Sequence, residues 1–158
     1  MKVFICYDIK DTPHGGANQF LKALRNKFVE RGMYTENPAN CDIVLFNSHH
    51  YGNELAQLKN TFNNKVFVHR VDGPMRLYND MSDHRDFIVY QLNDMANATI
   101  FQSQWSYAQN LELGFQCKTP TAVIHNAPDP DIFNSDYEKK ANDKTTLIAT
   151  SWSNNMRK

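Results

Sequence analysis

The chain has 158 residues, enough for one sizeable hydrophobic core and too few for two full domains. Lys plus Arg and Asp plus Glu stand at 17 each, so there is neither the broad basic field of a non-specific nucleic-acid binder nor the acidic bias of many disordered tails. Cys6, Cys41 and Cys117 are widely spaced and fit neither a disulfide framework nor a zinc knuckle, no apolar run approaches the ~20 residues of a membrane span, and the opening apolar run is too short for a secretion signal, so a reducing, cytoplasmic setting is expected.

The first apolar run, Val3 to Tyr7, reads as a strand. Pro13-His14-Gly15-Gly16-Ala17-Asn18 follows, and then Ala17, Phe20, Leu21, Leu24 and Phe28 recur at helical spacing, with Gly32 in the C′ position that tolerates a left-handed backbone. Residues 33–40 are polar and broken by Pro38, leaving room for no more than a stunted strand. Asp42 to Phe46 is a second strand, and a helix is expected from about Asn53 to Phe62. A strand over Val66 to Val71 runs into the turn Asp72-Gly73-Pro74. Ser82 or Asp83 then caps a helix that continues through Phe87, Ile88, Leu92 and Met95. After the strand Ala98 to Phe101, Ser103 caps a helix carrying Trp105, Ala108 and Leu111 and ending at Gly114, and Thr121 to Ile124 is the next strand. The Asp-, Pro- and Asn-rich stretch 126–144 reads as a connector, and Thr145 to Ala149 as a further strand.

Apolar strands alternating with helices define an α/β protein, a Rossmann-like open parallel sheet with helices on both faces. In such a sheet ligands bind beyond the carboxyl ends of the strands, where three segments fall. Gly15 and Gly16 open a helix whose N–H groups favour an anion, or they serve a tight turn. His69, Arg70 and Asp72 close a strand, where Arg would hold anionic or hydroxyl-rich ligands and His or Asp could move a proton, or Asp72-Gly73-Pro74 is only a turn. His49 and His50 fit an acceptor contact or an exposed loop better than a metal site, since no third ligand stands at helical spacing. G-x-G-x-x-G, the P-loop pattern, G-x-S-x-G and H-E-x-x-H are all missing, which weakens dinucleotide, ATP, hydrolase and metalloprotease readings.

Taken in order, these pieces resemble the N-terminal, acceptor-side domain of glycosyltransferase family 4 and its GT-B relatives. The resemblance rests on the Gly15-Gly16-Ala17 loop, the helix end Val29-Glu30-Arg31-Gly32, Val68-His69-Arg70-Val71-Asp72-Gly73-Pro74, Ser103 through Gly114, and Ala122-Val123-Ile124-His125-Asn126-Ala127-Pro128-Asp129 with Phe133. It implies a first domain over residues 1–140 and, over 141–158, a connector with the first strand of a donor-binding domain that is otherwise missing. The whole enzyme would transfer a sugar, with retention, from a nucleotide-sugar co-substrate to a glycan, lipid or small-molecule acceptor, with no cofactor or metal and no nucleic-acid partner, and peripheral membrane association would suit it. Gly15, Gly16 and Lys158 would hold the donor phosphates, Asp72 and His69 would be catalytic, and His14, His49 and Arg70 would face the acceptor cleft. The isolated chain is expected to be inactive. Competing readings are a nucleotide- or dinucleotide-binding Rossmann protein of epimerase or reductase type, and a non-enzymatic flavodoxin-like docking domain.

Overall fold

Among the described residues five short strands form one all-parallel sheet: β1 (Val3–Cys6), β2 (Ile43–Asn47), β3 (Val66–Val71), β4 (Ala98–Phe101) and β5 (Thr121–Val123), lying side by side in that order. The computed structural model describes residues 1–12 and 14–127. Ile5 stands beside Leu45, Leu45 beside Val68, and Val68 beside Ala98. Between them run α1 (Gly15–Glu30), α2 (Gly52–Thr61), the single-turn α3 (Met75–Tyr78), α4 (Arg85–Asn93) and α5 (Gln104–Glu112).

Five strands in sequential order would place every right-handed crossover helix on one face. The stub at Tyr34 changes this, because it bridges Val3 on the side of β1 away from β2. Val3 donates its N–H to the Met33 carbonyl at 2.7 Å, and Thr35 donates to the Val3 carbonyl at 3.0 Å. With the stub counted, the order is 2-1-3-4-5-6, so the chain first moves outward from β1 and then restarts at β2 in the opposite direction. α1 therefore covers one face, packing Leu21 on Val3, Ile5 and Leu45. On the other face Leu55 and Leu92 meet Cys6, Val44, Phe46 and Phe67, and Val89 with Phe115 extends the layer over Val71 and Phe101. Each fully buried Leu or Phe contributes about 1.5–3 kcal/mol. Burial on both faces is also why the strands scarcely alternate in polarity.

The helix ends follow local chemistry. Gly32 and Gly114 take φ of +63° and +98° where α1 and α5 stop. The Ser103 side chain accepts from the Ser106 N–H at 3.0 Å and caps α5. Two expectations change. Gly15 and Gly16 form the first turn of α1 and not a loop before it. The region after the Asp72 turn also gains α3, because the buried Asp86 carboxylate accepts from the Met75 and Arg76 N–H groups at 2.6 and 3.1 Å and caps that turn from α4. Asp83 accepts from the Arg85 N–H at 3.0 Å and so caps α4 one residue before the N-cap position, which His84 occupies. Among the described residues no helix is long and apolar enough to cross a membrane. The expected strand Thr145 to Ala149, the second-domain segment 141–158 and Lys158 lie outside the described residues.

Candidate ligand site at the carboxyl edge of the sheet

The chain reverses direction between β1 and β2, so the crevice of this sheet lies beyond their carboxyl ends. Polar residues gather along that edge, each at or just past the end of an apolar strand: Tyr7, Asn47, Asp72, Gln102 and Asn126. Arg70 joins most of them. Pleating puts Arg70 on the α1 face with Val68, and its guanidinium lies 4.2 Å from the centre of the Phe20 ring. One terminal nitrogen donates to Asn47 Oδ1 at 2.5 Å and to Asp72 Oδ1 at 2.6 Å, and the other to Gln102 Oε1 at 2.8 Å and Asn126 Oδ1 at 3.1 Å. Its side chain is 5% exposed and that of Asp72 16%. Asn47 Nδ2 donates to the second Asp72 oxygen at 3.2 Å, while Ser106 Oγ and Asn110 Nδ2 donate to the Asp72 carbonyl, each at 3.0 Å. Asp72 is thus held by its side chain and its backbone, and its neighbouring cation is already neutralised.

The turn after β2 is tight. Ser48 and Tyr51 both adopt left-handed backbone, with φ of +52° and +57°, a region that costs a non-glycine residue about 1–3 kcal/mol. Hydrogen bonds hold the strain: Ser48 donates its N–H to the Arg70 carbonyl at 2.8 Å, and its own carbonyl accepts from His69 Nε2 at 3.0 Å. The turn brings the His49 and His50 rings to 4.2 Å of each other and sets Tyr7 edge-on to His50 at 5.3 Å. Burial, with the His50 and Arg85 charges adding to it, pushes the His49 imidazole down to about 4, and burial lowers His50 as well. Both are neutral near pH 7 and can exchange hydrogen bonds with a hydroxyl.

The third part is the start of α1. The buried Asn18 accepts from the Lys10 N–H at 2.8 Å and donates to the Lys10 carbonyl at 2.9 Å, which pins the loop after β1 to the helix. His14, at the N-cap position, is exposed, and its side chain makes no capping hydrogen bond. Gly15 has φ of +77°, and a Cβ on Gly16 would meet nothing within 4 Å. The start of α1 thus has no side-chain cap, and a helix start leaves its first N–H groups without partners inside the helix. Gly16 lies one turn before Phe20 on the same helix face, and so on the side that carries Arg70.

Two expected roles are altered by this geometry. His69 is fully buried, stacked on Phe46 with ring centres 4.3 Å apart. Its Nε2 donates to the Ser48 carbonyl and its Nδ1 accepts from Asn93 Nδ2 at 3.0 Å, while burial lowers its pKa to about 3. A neutral ring with both nitrogens engaged inside the core has no path to a substrate proton, so His69 is a support of the turn and not a catalytic group. Arg70 stands at the edge, but its terminal N–H groups are all committed to protein acceptors, so it anchors the edge and does not grip a ligand. Of the other expected site residues, His14 and Gly16 are exposed, and Asp72, His49 and Gly15 are partly buried. Sequence reasoning gave no role to Tyr7, Asn47, Gln102 or Asn126; the available signal was that each is a polar residue that ends or closely follows an apolar strand run.

Among the described residues no group of three or more His, Cys, Asp or Glu side chains is placed to share a metal ion. The chain matches no known protein family, no curated protein and no solved structure. The fold and the site together define an α/β open-sheet protein with a polar, uncapped carboxyl edge.

Proposed function

We propose that this chain is the acceptor-side half of a GT-B glycosyltransferase of the family 4 kind, acting in the transfer of a sugar from a nucleotide-sugar to a glycan, lipid or small-molecule acceptor. The observation that carries the reading is the start of α1, which has no side-chain cap and has open space at Gly16, on the helix that carries Phe20 over Arg70. Sugar transfer must stabilise a departing diphosphate, and fixed N–H dipoles at a helix start do so without reorganising. Asp72, locked by Arg70 and Asn47, is the carboxylate that would receive or orient the acceptor hydroxyl, with the neutral His49 within reach of its charge and His14 exposed at the start of α1. Lys158 is assigned to the same diphosphate through the resemblance alone.

Ligand-observed NMR on residues 1–158, with UDP-glucose, GDP-mannose and NAD as probes, tests the reading. A weak response to a nucleotide-sugar that Gly16→Ala removes is expected, with no sugar transfer by this chain alone. A response to NAD only would replace it with the dinucleotide-binding reading. The strand order 2-1-3-4-5-6 also suits a non-enzymatic flavodoxin-like docking domain. That reading expects silence from all three probes.

A further inference from the structure

The last residue of α4 is buried and polar. Asn93 is 4% exposed, and its amide nitrogen donates to His69 Nδ1 at 3.0 Å and to Thr99 Oγ1 at 2.8 Å. The parallel register explains the meeting: His69 stands beside Phe46 on β2 and beside Thr99 on β4, so all three side chains point to one face of the sheet. From Thr99 the row of polar groups continues to Thr119 Oγ1 at 3.0 Å.

One arrangement of protons satisfies this row. The Ser48 carbonyl, 3.0 Å from His69 Nε2, can only accept, so Nε2 carries the ring proton. A neutral ring then leaves Nδ1 bare, and a buried bare nitrogen needs a donor. Asn93 supplies it, while its second amide hydrogen goes to Thr99 and keeps the amide turned that way.

The ring in turn holds the peptide of Ser48. That residue is 1% exposed with φ of +52°, and β3 grips it at both ends: its N–H donates to the Arg70 carbonyl and its carbonyl takes the His69 proton. Ser48 Oγ lies 3.4 Å from His49 Nδ1, and the turn that follows sets His49 against His50. Were the proton on Nδ1, two lone pairs would face each other between Nε2 and the carbonyl, and the left-handed peptide would lose a bond that offsets its strain.

We propose that Asn93 is a positioning residue for the carboxyl-edge site: it fixes the ring proton of His69 on Nε2, and through Ser48 it sets the turn that presents His49 and His50. That these rings meet an acceptor hydroxyl is the transferase reading, on which the link to a ligand rests.

NMR of the imidazole nitrogens in residues 1–158, taken without ligand, tests the assignment. In the unaltered chain His69 is expected with Nε2 protonated, Nδ1 bare and the Nε2–H slow to exchange. Asn93→Asp turns the donor into an acceptor, so His69 should gain a second proton, its pKa moving up from about 3 by about 1–3 pH units. Asn93→Ala should release the turn and carry the His49 midpoint from about 4 toward 6.5, although the charged groups around it, His50, Arg85, Asp72 and Asp83, are untouched. Thr99→Val removes the other partner of the amide from an equally dry position and leaves the Nδ1 contact in place, so it should cost stability without moving either histidine. A His69 proton on Nδ1 in the unaltered chain, a bare Nδ1 in Asn93→Asp, or a His49 midpoint that Asn93→Ala and Thr99→Val move alike would each overturn the assignment. The first of these is decided even if no Asn93 variant folds. Because no ligand is present, silence toward nucleotide-sugars sinks the transferase reading and leaves this result standing.

Discussion

Arg70 and Asp72 sit two residues apart and are joined at 2.6 Å, yet the bond does more than close a turn, because the same guanidinium also reaches Asn47, Gln102 and Asn126. One side chain thereby ties together the segments that leave β2, β3, β4 and β5. Arg70→Ala leaves Asp72 Oδ1 and the buried Asn47 Oδ1 without this donor, while Gln102 Oε1 keeps the Asn126 Nδ2–H and Asp72 Oδ2 the Asn47 Nδ2–H, and a loss of about 3–5 kcal/mol is expected in urea denaturation. Arg70→Lys should lose less, but it cannot restore the wild-type value, since one ammonium cannot serve acceptors on both sides of a planar fork. A loss below about 1 kcal/mol for Arg70→Ala would show the cluster to be solvent-screened and of little weight.

His69 makes stability fall with acidity. Its folded pKa is about 3 against an ordinary 6.5, so the unfolded chain takes up a proton at pH values where the folded one does not. The contribution is intact above about pH 6.5 and declines as pH drops toward 3, at up to about 1.4 kcal/mol per pH unit for one histidine. His49, lowered to about 4, adds in the same direction. Urea midpoints between pH 7.5 and 5 should fall steadily, and His69→Gln should flatten the slope while lowering stability at the upper end. An unchanged slope in that variant would assign the acid sensitivity elsewhere.

Adjacent glycines at the start of α1 should respond in opposite ways. Gly16 has no positive φ and open space at its Cβ, so Gly16→Ala should stabilise the fold by about 0.4–1 kcal/mol through the unfolded state. At the same time it should reduce any nucleotide-sugar response by crowding the helix N–H groups. Gly15, at φ of +77°, should lose about 1–2 kcal/mol on change to Ala. Thermal melts of the two variants check the pair. A melt in which both behave alike would mean that the first turn of α1 is set differently.

Gly73 is defined by its neighbours. A Cβ there would lie 2.6 Å from Trp105 Cζ3 and 2.7 Å from Tyr78 Oη, the hydroxyl that donates to the Gly73 carbonyl at 2.6 Å. Gly73→Ala should cost about 1–3 kcal/mol and shift the emission of the displaced, half-exposed Trp105. Trp105→Ala in the same chain should recover part of the loss. No recovery would place the strain on Tyr78.

The pattern of apolar runs and helical spacing determined by itself that this is a parallel α/β sheet, that Ser103 begins a helix, and that Gly32 and Gly114 end two, because those outcomes depend on burial and backbone freedom that neighbouring residues already state. Tertiary structure alone decided which side of the sheet each residue of Val68-His69-Arg70 would serve. Alternate residues of a strand point to opposite faces, so His69 went into the core against Phe46 while Arg70 went under α1 onto Phe20. Asn47, Gln102 and Asn126 are likewise 23 to 56 residues from Arg70 in sequence, and only the parallel register brings their strand ends together.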